Sequence, residues 1–186
     1  MSRRLFVSVD CDGLAEDIAA VQARLPDADG LDRTDPEQAH VTLQFLGDTD
    51  PDRVSDIVAA LESAVEAAGI DPFAAELGGL GVFPSMAYIS VVWLGVRSGG
   101  EQLTRLHEAI EPRTVELGFE ADDNEFTPHV TLARMRHAGP KAAVQRAVRE
   151  SDPDAGTLAV EAVRLTESVR TEDGPEYTTL AAVPLS

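Results

Sequence analysis

The chain is poor in the residue types that mark several protein classes. Its 186 residues include a single cysteine, Cys11, which excludes an intramolecular disulfide, and we expect it to pack as a small apolar side chain. No apolar run approaches the ~20 residues of a membrane span. The N-terminal residues alternate in polarity and lack the apolar core of a signal peptide. These features predict a soluble, cytoplasmic protein without a membrane partner.

Positive charge is also scarce. The chain has 15 lysine and arginine residues against 33 aspartate and glutamate residues, a net charge of −18, and Lys141 is its only lysine. This balance argues against the broad basic footprint of most nucleic-acid-binding proteins. The acidic residues are spread along the chain rather than collected in one tail. That distribution favours a halophilic surface, kept soluble in concentrated salt, over a dedicated acidic interaction surface.

The most informative feature that is present is a repeat. The tetrapeptide His-Val-Thr-Leu occurs at residues 40–43 and again at 129–132, so two of the four histidines open the same motif. Pro51 and Pro140 follow the two motifs at the same distance and suit the first turn of a helix. The repeat therefore extends beyond four residues and indicates an internal duplication.

The flanking periodicities repeat as well. Alternation predicts strands at residues 5–9, 73–83, 88–96, 157–166 and 177–184, besides the two motif strands. Apolar stripes predict a helix after each early strand and each motif, with helix ends at Gly69 and near Ser151, while Pro112 should end or kink the third helix. We expect an α+β fold in one domain, 1–186, built from pseudo-symmetric repeat units of roughly 3–86 and 87–186 that exchange strands.

The two motif strands bring the same polar pair to one face. Because strand side chains alternate, His40 and Thr42 share one face, and His129 and Thr131 share the corresponding face. A lone histidine of this kind is usually a structural, hydrogen-bonded residue, but the duplication favours a functional pair. A metal site is disfavoured, because zinc takes three or four protein ligands and the remaining histidines, His107 and His137, follow no matching pattern.

Two imidazoles suit acid–base chemistry. Histidine titrates near neutral pH, so one ring can take a proton while the other donates one. Two threonine hydroxyls beside them can donate hydrogen bonds to oxygens that gain charge in a transition state. The pattern predicts a phosphoryl-transfer site without metal or cofactor, and a cyclic phosphodiester fits its two-proton requirement.

The blocks at residues 40–47 and 128–134 resemble the paired signatures of the 2H phosphoesterase superfamily. Within it, the chain is similar to the RNA 2′,3′-cyclic phosphodiesterases, historically called 2′-5′ RNA ligases. The resemblance also covers residues 4–7, 81–84 and 92–95 and the C-terminal strands. It implies a bilobal fold with two antiparallel sheets facing a central cleft and helices outside. It also implies metal-independent hydrolysis of RNA or nucleoside 2′,3′-cyclic phosphate ends to 2′-phosphates.

The resemblance assigns roles to particular residues. His40 is expected to be the proton donor and His129 the proton acceptor. The phosphate-binding residues would be Thr42, Thr131 and Arg134, and Phe45 would contact the nucleoside. Simple strand parity puts Phe45 and Arg134 on the Val/Leu face, so both need a strand end or a bulge to reach the cleft.

Two other interpretations stay open at this point. The same cleft could belong to a non-catalytic module that binds nucleotides or RNA ends, although binding alone does not need two proton-transfer groups. A phosphodiesterase of the same fold could act on another small cyclic phosphate. The sequence does not decide base preference, the natural RNA, or whether hydrolysis or the reverse 2′-5′ ligation matters in the cell. We expect the chain to act as a monomer.

Overall fold

The computed structural model describes residues 3–122 and 125–185. Within those ranges the chain forms nine strands and four α-helices. The strands are β1 (Arg3–Asp10), β2 (Leu31–Arg33), β3 (His40–Thr49), β4 (Phe73–Pro84), β5 (Ile89–Ser98), β6 (His129–Met135), β7 (Asp154–Val160), β8 (Ala162–Thr171) and β9 (Gly174–Pro184). The helices are α1 (Ala15–Gln22), α2 (Val54–Ala68), α3 (Gly100–Glu116) and α4 (Lys141–Glu150).

The strands form one antiparallel sheet in the order β7-β4-β5-β6-β3-β1-β8-β9, with β2 added beside β6. At its middle, β3 and β6 are joined by one residue pair, Val41 with Val130. The sheet therefore divides into two wings, β7-β4-β5-β6 and β3-β1-β8-β9. The expected antiparallel α+β class is confirmed, and the two expected sheets are the wings of a single sheet.

Each wing contains strands from both halves of the chain. β4 of the first half lies beside β5 in one wing, and β8 and β9 of the second half lie beside β1 in the other. If the two repeat units exchange strands, strands of different halves must pair in this way. The division of the domain into units 3–86 and 87–186 itself stays a prediction.

The helices cover the face of the sheet opposite the two motif histidines. α2 and α3 pack on each other and on β9 and β3, while α1 packs against β6 and β7. The apolar motif residues beneath this layer are buried, namely Val41, Leu43, Val130 and Leu132. We call the uncovered face, which carries His40 and His129, the cleft face. No helix in the described part of the chain is long and apolar enough to cross a membrane.

The helix boundaries follow from local chemistry. α2 follows a 3₁₀ turn at Pro51–Arg53 and ends at Gly69, whose φ of 60° is a left-handed conformation that suits glycine. α4 begins after Pro140 and is capped by Ser151. The ends at Gly69 and Ser151 confirm the predicted helix ends, while Pro51 opens a 3₁₀ turn ahead of α2 and Pro140 immediately precedes α4 rather than occupying its first position.

Three predictions of local structure need correction. Of the two expected outcomes at Pro112, an end of the helix is wrong: α3 continues to Glu116, because Ile110 and Thr114 are buried on either side of the proline and hold the helix in place. The segment expected as one strand at 157–166 is two strands, β7 and β8, which separate after Val160 and enter different wings. The three-residue strand β2 was missed, because so short a segment has no readable periodicity.

The packed helix layer predicts a position-dependent loss of stability. Leu61 is fully buried on α2, so Leu61→Ala should lower the free energy of unfolding by about 2–5 kcal/mol. Val115 on α3 is 42% exposed, and Val115→Ala should change it by less than about 0.5 kcal/mol. Denaturant unfolding of both variants measures the difference, and equal losses would contradict the placement of the core.

Candidate active site

The join between the wings interleaves the two motifs. Val41 and Val130 are paired antiparallel, so the residues that flank this pair face each other crosswise. His40 therefore lies beside Thr131, and His129 lies beside Thr42. All four side chains alternate with the buried valines and belong to the cleft face. Each histidine thus has the threonine of the other motif as its neighbour.

Both imidazoles are held in the same way. His40 donates Nδ1–H to the carbonyl of Gln38 over 3.0 Å, and His129 donates Nδ1–H to the carbonyl of Thr127 over 2.7 Å. A carbonyl oxygen only accepts, so the Nδ1 atom of each ring carries the hydrogen. In the neutral ring Nε2 then has a free lone pair. The duplicated anchor gives both histidines an Nε2 that is able to exchange protons.

Aromatic rings pack around His40. Phe6 of β1 and Tyr177 of β9 lie 4.9 and 5.1 Å from its imidazole, centroid to centroid, and 5.2 Å from each other. The contact with Tyr177 is edge to face, an arrangement that aromatic rings prefer. The three rings form a triangle that shields one side of His40 from water.

A second triangle surrounds His129. Phe83 of β4 and Trp93 of β5 lie 4.9 and 5.8 Å from its ring and 5.1 Å from each other. The Trp93 ring lies directly over Gly81, where a Cβ atom would overlap it. The glycine thus provides the space that lets a large ring lie flat beside the histidine.

The surroundings make both imidazoles weak bases. Burial lowers the pKa of His40 below its ordinary value of 6.5, and the charges of His129 and Arg134 act in the same direction, whereas the hydrogen bond to the Gln38 carbonyl and the charge of Asp10 oppose them. Burial also lowers the pKa of His129, again with help from Arg134. The surroundings of both rings therefore favour the neutral imidazole more than water does.

A bulge in β3 carries Phe45 to the cleft face. Ser8 pairs with Thr42 and Val7 with Gln44, so Leu43 has no partner on β1. The extra residue reverses the alternation, and Phe45 lies opposite Phe6, 6.3 Å from its ring and 70% exposed.

The second motif has the same bulge. Trp93 pairs with Thr131 and Val92 with Ala133, so Leu132 has no partner on β5. Beyond it Arg134 is exposed, and its charge acts on His40, His129 and Tyr177. Simple parity is therefore wrong for both Phe45 and Arg134, because each motif bulges at its leucine.

Donors from outside the ladders hold the two bulges. His107 of α3 donates Nδ1–H to the Leu43 carbonyl over 2.7 Å. The Leu132 carbonyl accepts from the Gln22 amide at 3.0 Å and from the Thr34 backbone N–H at 2.9 Å. A bulge leaves ladder groups unpaired, and these donors satisfy the carbonyls where they are buried. His107, left without a role by the sequence, stabilises the shape of the site.

Gln38 connects the site to β9. Its carbonyl anchors His40, its side-chain oxygen accepts from the Tyr177 backbone N–H at 3.0 Å, and its side-chain amide donates to Pro175 at 2.9 Å. One residue therefore holds both His40 and the strand that carries its aromatic neighbour. The sequence pattern gave no signal for Gln38, since its contacts join segments far apart in the chain.

Arg134 has no counter-ion among the described residues. Nearby arginines are engaged: Arg136 contacts Asp32 at 2.7 Å, and Arg164 contacts Asp10 at 2.6 Å. Asp32 lies opposite Arg134 in the β2–β6 ladder but pairs with Arg136, so Arg134 is an arginine without an ion pair in the described ranges and acts on both imidazoles. Across residues 3–122 and 125–185 no His, Cys, Asp or Glu cluster has the geometry to hold a metal ion.

The backbone anchors predict one tautomer for both histidines. At a pH where the rings are neutral, His40 and His129 should each carry hydrogen on Nδ1, because Nδ1 donates to a carbonyl. Ring ¹⁵N chemical shifts measured by NMR report the tautomer. Exposed His137, whose Nδ1 accepts from the Gly139 N–H, serves as the control and should carry hydrogen on Nε2. Hydrogen on Nε2 of His40 or His129 would contradict the proposed proton geometry.

Comparison with known proteins gives, over most of the chain, the family that the sequence motifs resemble. Residues 11–172 match the model of the 2′-5′ RNA ligase superfamily. A protein of Aeropyrum pernix named RNA 2′,3′-cyclic phosphodiesterase is 38% identical over 79% of this chain and 82% of its own length. A protein of Archaeoglobus fulgidus with the same name is 34% identical over 94% of this chain and 96% of its own.

Solved structures share the architecture. TT0787 of Thermus thermophilus is 28% identical and superposes with a TM-score of 0.80 over 98% of this chain and 97% of its own. LigT of E. coli, solved with 3′-AMP, is 22% identical and superposes at 0.79 over 100% of this chain and 99% of its own, which speaks for the fold alone. The duplicated His-x-Thr strands, the sheet that joins them and these matches together mean that the chain belongs to the 2′-5′ RNA ligase superfamily, as the motifs predict.

Proposed function

We propose that this protein hydrolyses the 2′,3′-cyclic phosphate ends of RNA or nucleotides to 2′-phosphates by two-histidine acid–base catalysis. The observation that carries the proposal is the crosswise set of two histidines and two threonines, with both Nδ1 atoms anchored on carbonyls. The relatives at 34% and 38% identity that are named RNA 2′,3′-cyclic phosphodiesterases support the same activity.

His129 acts on the water. Its neutral ring, with lowered pKa, offers the Nε2 lone pair, takes a proton from a water molecule, and so directs the oxygen to the phosphorus. The Phe83 and Trp93 rings limit the orientations that this imidazole adopts. Charge then develops on the phosphoryl oxygens.

His40 acts on the leaving oxygen. As the phosphorus–O3′ bond breaks, protonated His40 donates its Nε2 hydrogen to O3′, which leaves as a hydroxyl. The phosphate remains on O2′, and the net change is the addition of one water molecule. His129 ends protonated and His40 neutral, so exchange of one proton with solvent restores the starting state.

The phosphate is held by Thr42, Thr131 and Arg134. The two threonine hydroxyls flank the histidines and donate to nonbridging oxygens, which gain negative charge in the transition state. Arg134, with no counter-ion in the described ranges, supplies a compensating charge. Because its guanidinium forms no ion pair in the described ranges, a net acidic protein still offers the phosphate a positive site.

Phe45 contacts the nucleoside. Its exposed ring lies on the cleft face beside Phe6, on the His40 side of the site. A flat apolar ring at this place offers a stacking surface that does not distinguish strongly between bases.

The same geometry serves 2′-5′ ligation, in which an RNA 5′-hydroxyl takes the place of water. From the sequence, we still predict that the protein is halophilic, cytoplasmic and monomeric.

Removal of either motif histidine should strongly reduce turnover of nucleoside 2′,3′-cyclic phosphates. His40→Ala and His129→Ala should each lower kcat by roughly 10²–10⁴-fold, since each removes one proton transfer. The wild-type rate should resist EDTA, and chromatography should identify the product as the 2′-phosphate. The assay covers several salt concentrations because of the acidic composition.

The matched control is His137→Ala. His137 is an exposed histidine whose ion pair is with Asp29 on the surface, so its removal should leave kcat within twofold or so. Wild-type rates in either motif variant would exclude the two-histidine mechanism. Tight nucleotide binding by calorimetry without turnover would instead favour a binding module.

Loss of Arg134 should weaken phosphate binding in the ground and transition states. Arg134→Gln removes a charge-assisted hydrogen bond and should lower kcat/KM by roughly 10- to 100-fold. Arg136 directly follows β6, two residues after Arg134, and is already paired with Asp29 and Asp32. Arg136→Gln should therefore have little effect on kcat/KM. Steady-state kinetics of both variants make the comparison, and equal losses would point to general surface charge rather than a phosphate contact.

A further inference from the structure

The residues opposite the two histidines break the symmetry of the site. In the β1–β3 ladder His40 lies directly opposite Asp10. In the β5–β6 ladder His129 lies directly opposite Gly95. Directly opposed residues project from the same face with Cβ atoms roughly 4.5–5.5 Å apart. A carboxylate therefore faces His40, and no side chain faces His129 from the corresponding position.

The Asp10 carboxylate is held in a fixed orientation. Arg164 of β8 donates Nη1–H to one carboxylate oxygen at 2.6 Å, and the Ser8 hydroxyl donates to the other at 3.2 Å. Ser8 is fully buried, and its hydroxyl lies 3.1 Å from that of Thr166. Asp10 and His40 line one cavity of about 110 Å³, so the carboxylate faces the imidazole across a small, partly enclosed space.

His40 is surrounded by charges of both signs. Burial has the largest effect and lowers its pKa; the hydrogen bond to the Gln38 carbonyl and the charge of Asp10 raise it, and His129 and Arg134 lower it. The other titratable or charged groups around it are Asp12 and Glu37, which line the cavity, Tyr177, which packs on the ring, and Arg164, which acts through Asp10. Asp10 is the carboxylate directly across the ladder from this histidine. Among residues 3–122 and 125–185, no carboxylate acts on His129 in the same way.

We propose that Asp10 is a positioning residue that keeps a proton on His40 and so makes His40, rather than His129, the acid of the pair. This rests on the proposed function. The site works when it holds one proton, and that proton has two places to reside. With the proton on His40 and His129 neutral, water attack and O3′ protonation proceed together. Without Asp10 the proton is distributed more evenly between the two rings, and the productive form becomes scarcer.

The pH dependence of kcat/KM separates this role from a structural one. Above both pKa values the productive form requires protonation of His40, so activity there follows the pKa of His40. Below both pKa values it requires deprotonation of His129, so activity there follows the pKa of His129. Asp10→Asn should lower the His40 pKa by on the order of one unit. On the alkaline limb of the pH profile kcat/KM should then fall about tenfold, while on the acid limb it stays unchanged.

The ion-pair cluster of Asp10, Asp12 and Arg164 supplies both a control variant and a variant with the opposite expected effect. Asp12 also binds Arg164, at 2.9 Å, yet is exposed and not opposite a histidine. Asp12→Asn should therefore leave both limbs in place. Asp10→Glu retains the charge and should restore most of the alkaline limb. Arg164→Gln removes the charge that partly neutralises Asp10, so it should raise the alkaline limb. This opposite sign also tests the proposal if Asp10→Asn fails to fold.

NMR titration of the histidines makes the test independent of turnover. In Asp10→Asn the His40 pKa should fall while that of His129 stays constant. If neither moves, or both move equally, Asp10 has no selective role. A rise of the acid limb with an unchanged alkaline limb would assign the base role to His40 and overturn the proposal. A wild-type protein without cyclic phosphate turnover would refute the proposed function alone, because the titrations still measure the coupling of Asp10 to His40.

Discussion

The pairing of Val41 with Val130 is the contact on which the site depends. It joins the two wings of the sheet at one step and is antiparallel, so it brings the His-x-Thr pair of each motif against the pair of the other. Both valines are buried under the helix layer, and this burial holds the polar residues between them on the open face. A shift of either strand by one residue in this register would turn that strand's histidine toward the helices and separate it from the other histidine. The packing of apolar side chains thus positions the two motif histidines.

The bulges at Leu43 and Leu132 extend this arrangement. Each reverses the strand alternation directly after the motif, so that Phe45 follows the first motif onto the cleft face and Arg134 follows the second. The bulges are equivalent, but their supports differ: His107 holds the first, and Gln22 with Thr34 holds the second. The same backbone device therefore delivers an apolar ring on one side of the proposed phosphate position and a positive charge on the other.

Charge is distributed in this protein so that function rests on few basic residues. With a net charge of −18, the surface repels a polyanion at low ionic strength. Arginines next to the site are bound to carboxylates, as with Arg164 and Asp10 or Arg136 and Asp32. Arg134 keeps its charge available. The two imidazoles, one facing Asp10 and the other facing Gly95, are chemically unequal although their motifs are identical.

The sequence by itself determined the antiparallel α+β class, the ends of α2 and α4, and the family, because these depend on periodicity, proline and glycine positions, and a repeated motif. Strand alternation also placed His40 with Thr42 and His129 with Thr131. It failed at Phe45 and Arg134, because a bulge depends on how two strands pair rather than on either strand alone. Likewise the separation of β7 from β8, the continuation of α3 through Pro112, and the contacts of Gln38, His107 and Asp10 were decided by tertiary structure. These contacts join residues distant in sequence, where no local pattern records which neighbour the folded chain supplies.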